Sequence, residues 1–235
     1  MQTTSREQNT EFNRSEFFSR LAELQPESIV DIGCGSGDML ARCAAAGIEA
    51  TGVEPSAPED SAADRHIIKA PAEKLPFEDG AFDWAVMRFV PHHLAVPAEA
   101  FAEALRVCRS GFLVAEPWFD TSLASQRTSL ELDRWMKQQD RRGGMVHEEV
   151  LSAGDLIAAL PAGHEYEITM DTSLQLREWK LEDVEAEVES LLKELAADHE
   201  DLVAFDRLRA SMKTDRVSWN GSVFVVARRQ LHLGA

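Results

Sequence analysis

With 235 residues the chain is long enough for one sizeable core, and its 44% hydrophobic and 28% charged residues are those of a folded chain rather than a disordered one, so a single domain is expected over residues 1–235. Lys and Arg number 24 against 41 Asp and Glu, and the formal charge of -17 sets up a field that repels polyanions, which makes nucleic acid an unfavourable partner. Cys34, Cys43 and Cys108 have no zinc spacing, the start lacks a basic-then-apolar leader, and no apolar run approaches a membrane span, so a reducing, cytoplasmic setting without metal or membrane is expected.

Residues 12–24 place Phe12, Phe17, Phe18, Leu21 and Leu24 near one helical stripe, predicting an amphipathic helix in an N-terminal segment 1–25 that Pro26 ends. SIVDIG (28–33) then reads as a short buried strand, followed by a Gly-rich turn that opens a helix stopping at Gly47. IEATGVEP is a second strand, HIIKA (66–70) a third and FDWAVMRF (82–89) a fourth. A helix over 100–108 leads to a fifth strand, GFLVAEP (111–117). Strands that alternate with helices imply a parallel sheet covered on both faces.

After Pro117 the pattern changes, and residues 118–150 read as a polar helical insertion carrying Trp118, Trp135 and His147. A helix over 152–160 has Ser152 and Asp155 near its start, and HEYEITMDTSL (164–174) supplies a sixth strand. Leu181, Val184, Val188, Leu191, Leu192 and Leu195 recur at helical spacing. SVFVVAR (222–228), after the turn signal Asn220-Gly221, is the seventh strand.

The chemistry concentrates where Val30-Asp31-Ile32 runs into Gly33, Gly35 and Gly37. Glycines at alternate positions let a ligand approach the main chain closely, at the crevice where an open α/β sheet binds small molecules. A nicotinamide or flavin fingerprint needs a glycine at position 38, where this chain has Asp38. An acid at that helix start also opposes a pyrophosphate. Glu54 closes the second strand, where an acid can accept both hydroxyls of a ribose.

With VDIGCGSG, GVEP, AEKLPFEDGAFD, the HHL at 92–94 and ALRVCRSGFLVAEP, the chain resembles the class I S-adenosylmethionine-dependent methyltransferases, in the branch that methylates small metabolites. The resemblance covers roughly residues 28–117 and implies a Rossmann-like α/β fold, a seven-stranded, mostly parallel sheet with helices on both faces and a helical lid over 118–150. It implies that Asp31 and the loop of Gly33, Cys34, Gly35 and Gly37 hold the amino-acid end of S-adenosylmethionine. Glu54 takes the ribose, Pro55, Ala72 and Glu73 lie by the adenine, and Arg88 with Phe89 borders the methionine moiety. One departure is Pro71, where many relatives carry an Asp that accepts the adenine amino group; Glu73 is the substitute candidate.

Methyl transfer from a sulfonium needs alignment more than a universal catalytic residue, with a base required only for a protonated acceptor. His93 or its neighbour His92 is the candidate base, and Glu116, Trp118, Trp135 and His147 are candidate acceptor contacts. The expected reaction converts S-adenosylmethionine to S-adenosylhomocysteine as a small-molecule acceptor is methylated. A cofactor-binding regulatory protein and a tRNA-base methyltransferase are the alternatives, the second disfavoured by charge.

Overall fold

Apolar runs without polar alternation become inner strands, because a strand covered on both faces has no position at which a side chain meets water. The computed structural model describes residues 4–57, 66–162, 165–194 and 199–230. Its elements run α1 (Ser5–Glu23), β1 (Ser28–Ile32), α2 (Asp38–Ala45), β2 (Glu49–Val53), β3 (Ile67–Ile68), β4 (Phe82–Arg88), α3 (Pro97–Val107) and β5 (Cys108–Trp118). There follow α4 (Ala124–Arg142), α5 (Ala153–Ala158), β6 (Tyr166–Ser173), α6 (Leu181–Glu194), α7 (His199–Asp215) and β7 (Gly221–Arg229). His164 and Leu195, the ends of two predicted elements, lie outside the described residues.

The strands form one seven-stranded sheet in the order β3-β2-β1-β4-β5-β7-β6. From β3 to β5 every pairing is parallel, with Asp31 of β1 level with Gly52 on one side and Val86 on the other. The last two strands run antiparallel to each other: Gly221 lies against Ser173, while at the far end the Gln230 amide donates to the Glu165 carbonyl. The end of β7 sits beside the start of β5, where Gly111 abuts Ala227 and Arg228 and the Arg229 guanidinium donates to the Leu105 carbonyl. The sheet is thus the expected seven-stranded, mostly parallel one.

Helices cover both faces. On one, Ile29, Trp84, Val86, Leu113 and Ala115 pack with Phe17 and Leu21 of α1 and Met39 and Cys43 of α2. On the other, Phe112 meets Phe101 of α3 edge to face at 4.9 Å. Each large side chain so buried contributes about 1.5–3 kcal/mol.

Contacts divide the chain into two compact units, one of Arg14–Glu116, Leu151–Asp171 and Val223–Ala235 and the other of Met1–Asn13, Pro117–Val150 and Thr172–Ser222. The first carries the parallel strands. The second has its own core, in which Leu132 and Trp135 of α4 pack with Val184 and Val188 of α6 and Phe205, Leu208 and Met212 of α7. Within the polar insertion predicted over 118–150, helix occupies Ala124–Arg142.

The short helix α5 depends on its cap. The Ser152 hydroxyl accepts from the Asp155 amide at 3.2 Å while the Asp155 carboxylate accepts from the Ser152 amide at 2.9 Å, a reciprocal capping box. Ser152→Ala is expected to lower the unfolding free energy by about 1 kcal/mol in urea titrations; an unchanged midpoint would mean that α5 is held by its packing alone.

Candidate active site

Because β1 to β5 are parallel, their carboxyl ends share one edge, the ligand-binding edge of open α/β sheets. The edge receives the Gly33–Gly37 loop from β1, Glu54 and Pro55 from β2, Ala72 and Glu73 beyond β3, Arg88 and Phe89 from β4, and Glu116 from β5. The residues expected to hold cofactor are therefore gathered at one edge of one unit.

The chain turns out of β1 by donating the Gly33 and Cys34 amides to the Val53 carbonyl, at 2.7 and 3.2 Å. That turn puts Gly33 at φ 74°, and a Cβ there would stand 2.5 Å from Val90 Cγ2. Gly35, at φ 54°, has nothing within 4 Å of an added Cβ, so its outer side is open. Its amide donates to Glu54 Oε2 at 3.1 Å, and Glu54 Oε1 accepts from the Ser56 amide at 3.1 Å and hydroxyl at 2.5 Å. Loop and acid are thereby tied together.

Gly52 has a role the sequence reading did not mark: a Cβ on it would meet Cys34 Sγ at 2.6 Å and Leu40 Cδ1 at 2.9 Å. Its bareness lets the loop lie down on β2. The only signal in the sequence is a glycine inside a strand, which often marks a close approach. Burial, with Asp31 and Glu54 adding to it, pushes the Cys34 thiol up to about 12, so the residue packs as an uncharged thiol.

Asp31 is 4% exposed, beneath the loop. Burial raises its carboxyl from 3.8 to about 7; Arg88 opposes the rise and Glu54 adds to it. Burial likewise lowers the Arg88 guanidinium from its usual value, Asp31 counteracting. A buried acid that is hard to ionise awaits a positive charge.

Beyond β4, Phe89 takes φ 60° and a 3-10 turn follows over Pro91–His93. The turn buries His92 and leaves His93 exposed, with the two rings 4.3 Å apart. His92 Nδ1 lies 2.9 Å from both carboxylate oxygens of Glu116. Glu116, expected to face the acceptor, is 0% exposed and also accepts from the Leu151 amide at 3.3 Å; it touches His92 rather than an open crevice.

The remaining expected acceptor contacts belong to the second unit. Trp118 ends β5 half-buried, and Trp135 lies in the core of that unit with its ring 5.2 Å from Phe205. His147 Nδ1 is 2.7 Å from Asp140 Oδ2.

Residues 30–115 match the methyltransferase domain family. The matched segment runs from β1 into β5 and contains the loop, Glu54 and both histidines. Curated relatives share it: the malonyl-[acyl-carrier protein] O-methyltransferase of Pseudescherichia vulneris is 32% identical over 102 residues, 41% of this chain and 41% of that protein. An uncharacterized transposon protein of Streptomyces fradiae is 36% identical over 121 residues, 46% of this chain and 35% of that protein. The chain therefore covers well under half the length of either relative. Among solved structures, a putative methyltransferase from Bacillus halodurans C-125 superposes with a TM-score of 0.58 at 18% identity, over 93% of this chain and 99% of that one. A possible histamine N-methyltransferase from Thermotoga maritima superposes at 0.52 and 18%, over 94% and 92%. These likenesses show the fold.

Proposed function

We propose that the chain transfers a methyl group from S-adenosylmethionine to a small-molecule acceptor and releases S-adenosylhomocysteine. The observation that carries this reading is the contact of the Gly35 amide with Glu54, which joins the open loop to the candidate ribose acid around one crevice. The donor set fits the group. Asp31 is buried and ready to be neutralised by an ammonium, Glu54 offers two oxygens to a pair of hydroxyls, and Asp38 at the start of α2 disfavours a pyrophosphate. The bound donor supplies an already activated methyl carbon. The residues of the chain bind and align: Gly33 and Gly35 shape the bend, Asp31 orients the amino-acid end, and Glu54 fixes the ribose. The charge of -17 favours a small acceptor over a polyanion.

Glu54→Ala tests the reading. Losing hydrogen bonds to a charged group corresponds to about 1.5–3 kcal/mol, so calorimetry is expected to show S-adenosylhomocysteine bound roughly 10- to 100-fold more weakly. Affinity equal to that of the parent chain would remove Glu54 from the site.

A further inference from the structure

Residues 69–81, between β3 and β4, form neither helix nor strand, so their main-chain polar groups must find partners outside a regular ladder. Arg106, in the last turn of α3, supplies several of them. All five N–H donors of its guanidinium are engaged: Nε with Glu103 Oε1 at 2.7 Å, one terminal nitrogen with the Phe77 carbonyl and Asp79 Oδ1, both at 2.8 Å, and the other with the Leu75 carbonyl at 3.1 Å and Glu103 Oε2 at 2.8 Å. Glu103 Oε2 also accepts from the Leu75 amide at 2.8 Å, and the Arg106 carbonyl accepts from the Gly80 amide at 2.9 Å. All of these residues belong to the unit that carries the parallel strands.

What the pair contributes is direction more than charge. The Arg106 and Glu103 side chains are 32% and 21% exposed, and ion pairs this close to water add little to stability. A fork-to-fork contact between guanidinium and carboxylate instead fixes geometry, which a lysine ammonium cannot reproduce. Leu75, 4% exposed, is thereby held at both its amide and its carbonyl. Just before it, the Lys74 amide donates to the Pro71 carbonyl at 3.2 Å and closes a turn that carries Ala72 and Glu73. Pro71 has no side-chain acceptor, so a purine base at this turn is left to the main chain and to Glu73, whose place depends on how Leu75 is held.

We propose that Glu103 and Arg106 are positioning residues for base recognition, holding the main chain of residues 72–75 in the arrangement that receives the adenine of the methyl donor. The proposal rests on the methyltransferase reading, in which Ala72 and Glu73 lie by the base. Neither Glu103 nor Arg106 touches the ligand. Both act through the segment, which they order in advance so that the nucleoside does not have to order it on binding.

The test uses the whole chain with Arg106→Lys, which keeps the charge and removes the fork, and with Glu103→Gln, which leaves the contacts to Phe77 and Asp79 in place. Glu103→Gln carries the test alone if Arg106→Lys does not unfold cooperatively. The probes are S-adenosylhomocysteine and S-ribosylhomocysteine, which has a hydroxyl where the first has the base. Calorimetry is expected to show the first bound about tenfold more weakly by the variants, and the second, by displacement, changed less than about twofold. Nitrogen-15 relaxation gives a readout that needs no second ligand: the amide order parameters of residues 72–75 should fall in the ligand-free variants and recover when S-adenosylhomocysteine saturates them. Equal losses for both ligands indicate a merely structural role and overturn the proposal, as do order parameters that match those of the parent chain. Parent-chain uptake of S-adenosylhomocysteine that the variants leave unchanged overturns the proposal alone. A parent chain that takes up no S-adenosylhomocysteine defeats the methyltransferase reading, and the proposal with it.

Discussion

Gly33→Ala is expected to abolish measurable uptake of S-adenosylhomocysteine and to lower the unfolding free energy by about 2–5 kcal/mol. Two costs combine there. At φ 74° an L side chain is strained, and its Cβ would stand 2.5 Å from Val90 Cγ2, part of a β-branched side chain that is stiff at χ1. Val90 leads into the Pro91–His93 turn, so moving it disturbs the segment that presents both histidines. Gly35→Ala separates the two costs. It shares the left-handed backbone at φ 54° but has nothing within 4 Å of the new Cβ. Its destabilisation is expected to be only about 1 kcal/mol, with binding still weakened because the methyl group occupies the open side of the loop. Urea unfolding and calorimetry on both variants check this, and equal stability losses would show that Val90 yields.

Asp31→Asn is expected to act in opposite directions on stability and on binding. Below the unfolded carboxyl value near 3.8 the group is protonated in both states and contributes nothing to the pH dependence. As pH rises toward about 7 the unfolded chain ionises while the buried carboxyl does not, so folding stability is lost over that window and stays constant above it. At 1.36 kcal/mol per pH unit the gap corresponds to about 4 kcal/mol. The Asn variant does not ionise, so its stability relative to the parent should grow between pH 4 and pH 7. Affinity for a ligand bearing an ammonium should move the other way. In the parent it is expected to fall about tenfold for each pH unit below 7, because the ligand must displace a proton. The variant should bind weakly and without that slope. Unfolding at pH 5 and pH 8 that shows no difference between the chains would mean that Asp31 is not held protonated.

Much of the strand edge that carries the candidate site was legible because it depends on local chain geometry. A buried strand, a run of glycines and an acid after the next strand are all sequence-adjacent features, and β1, β2 and β4 form close to their predicted bounds. β5 begins at Cys108 rather than at 111, since Cys108 pairs with Phe82 across the sheet and the helix before it ends one residue sooner. α7 was not marked. Its stripe of Asp201, Phe205, Leu208 and Met212 is broken by an acid and blurred by exposed Leu202, so only packing against α4 and α6 reveals it. The His92–Glu116 pair spans 24 residues and depends on β4 and β5 being neighbours. Sequence placed Glu116 as an acid facing the acceptor; sheet pairing turns it inward to the histidine.

Calorimetric titration of the parent chain with S-adenosylhomocysteine and, separately, with a nicotinamide dinucleotide tests the central claim most directly. The expected result is saturable uptake of the first and none of the second, since the Gly33–Gly37 bend, Asp31 and Glu54 suit a cationic adenosyl donor. Tight uptake of the dinucleotide with no heat from S-adenosylhomocysteine would contradict it.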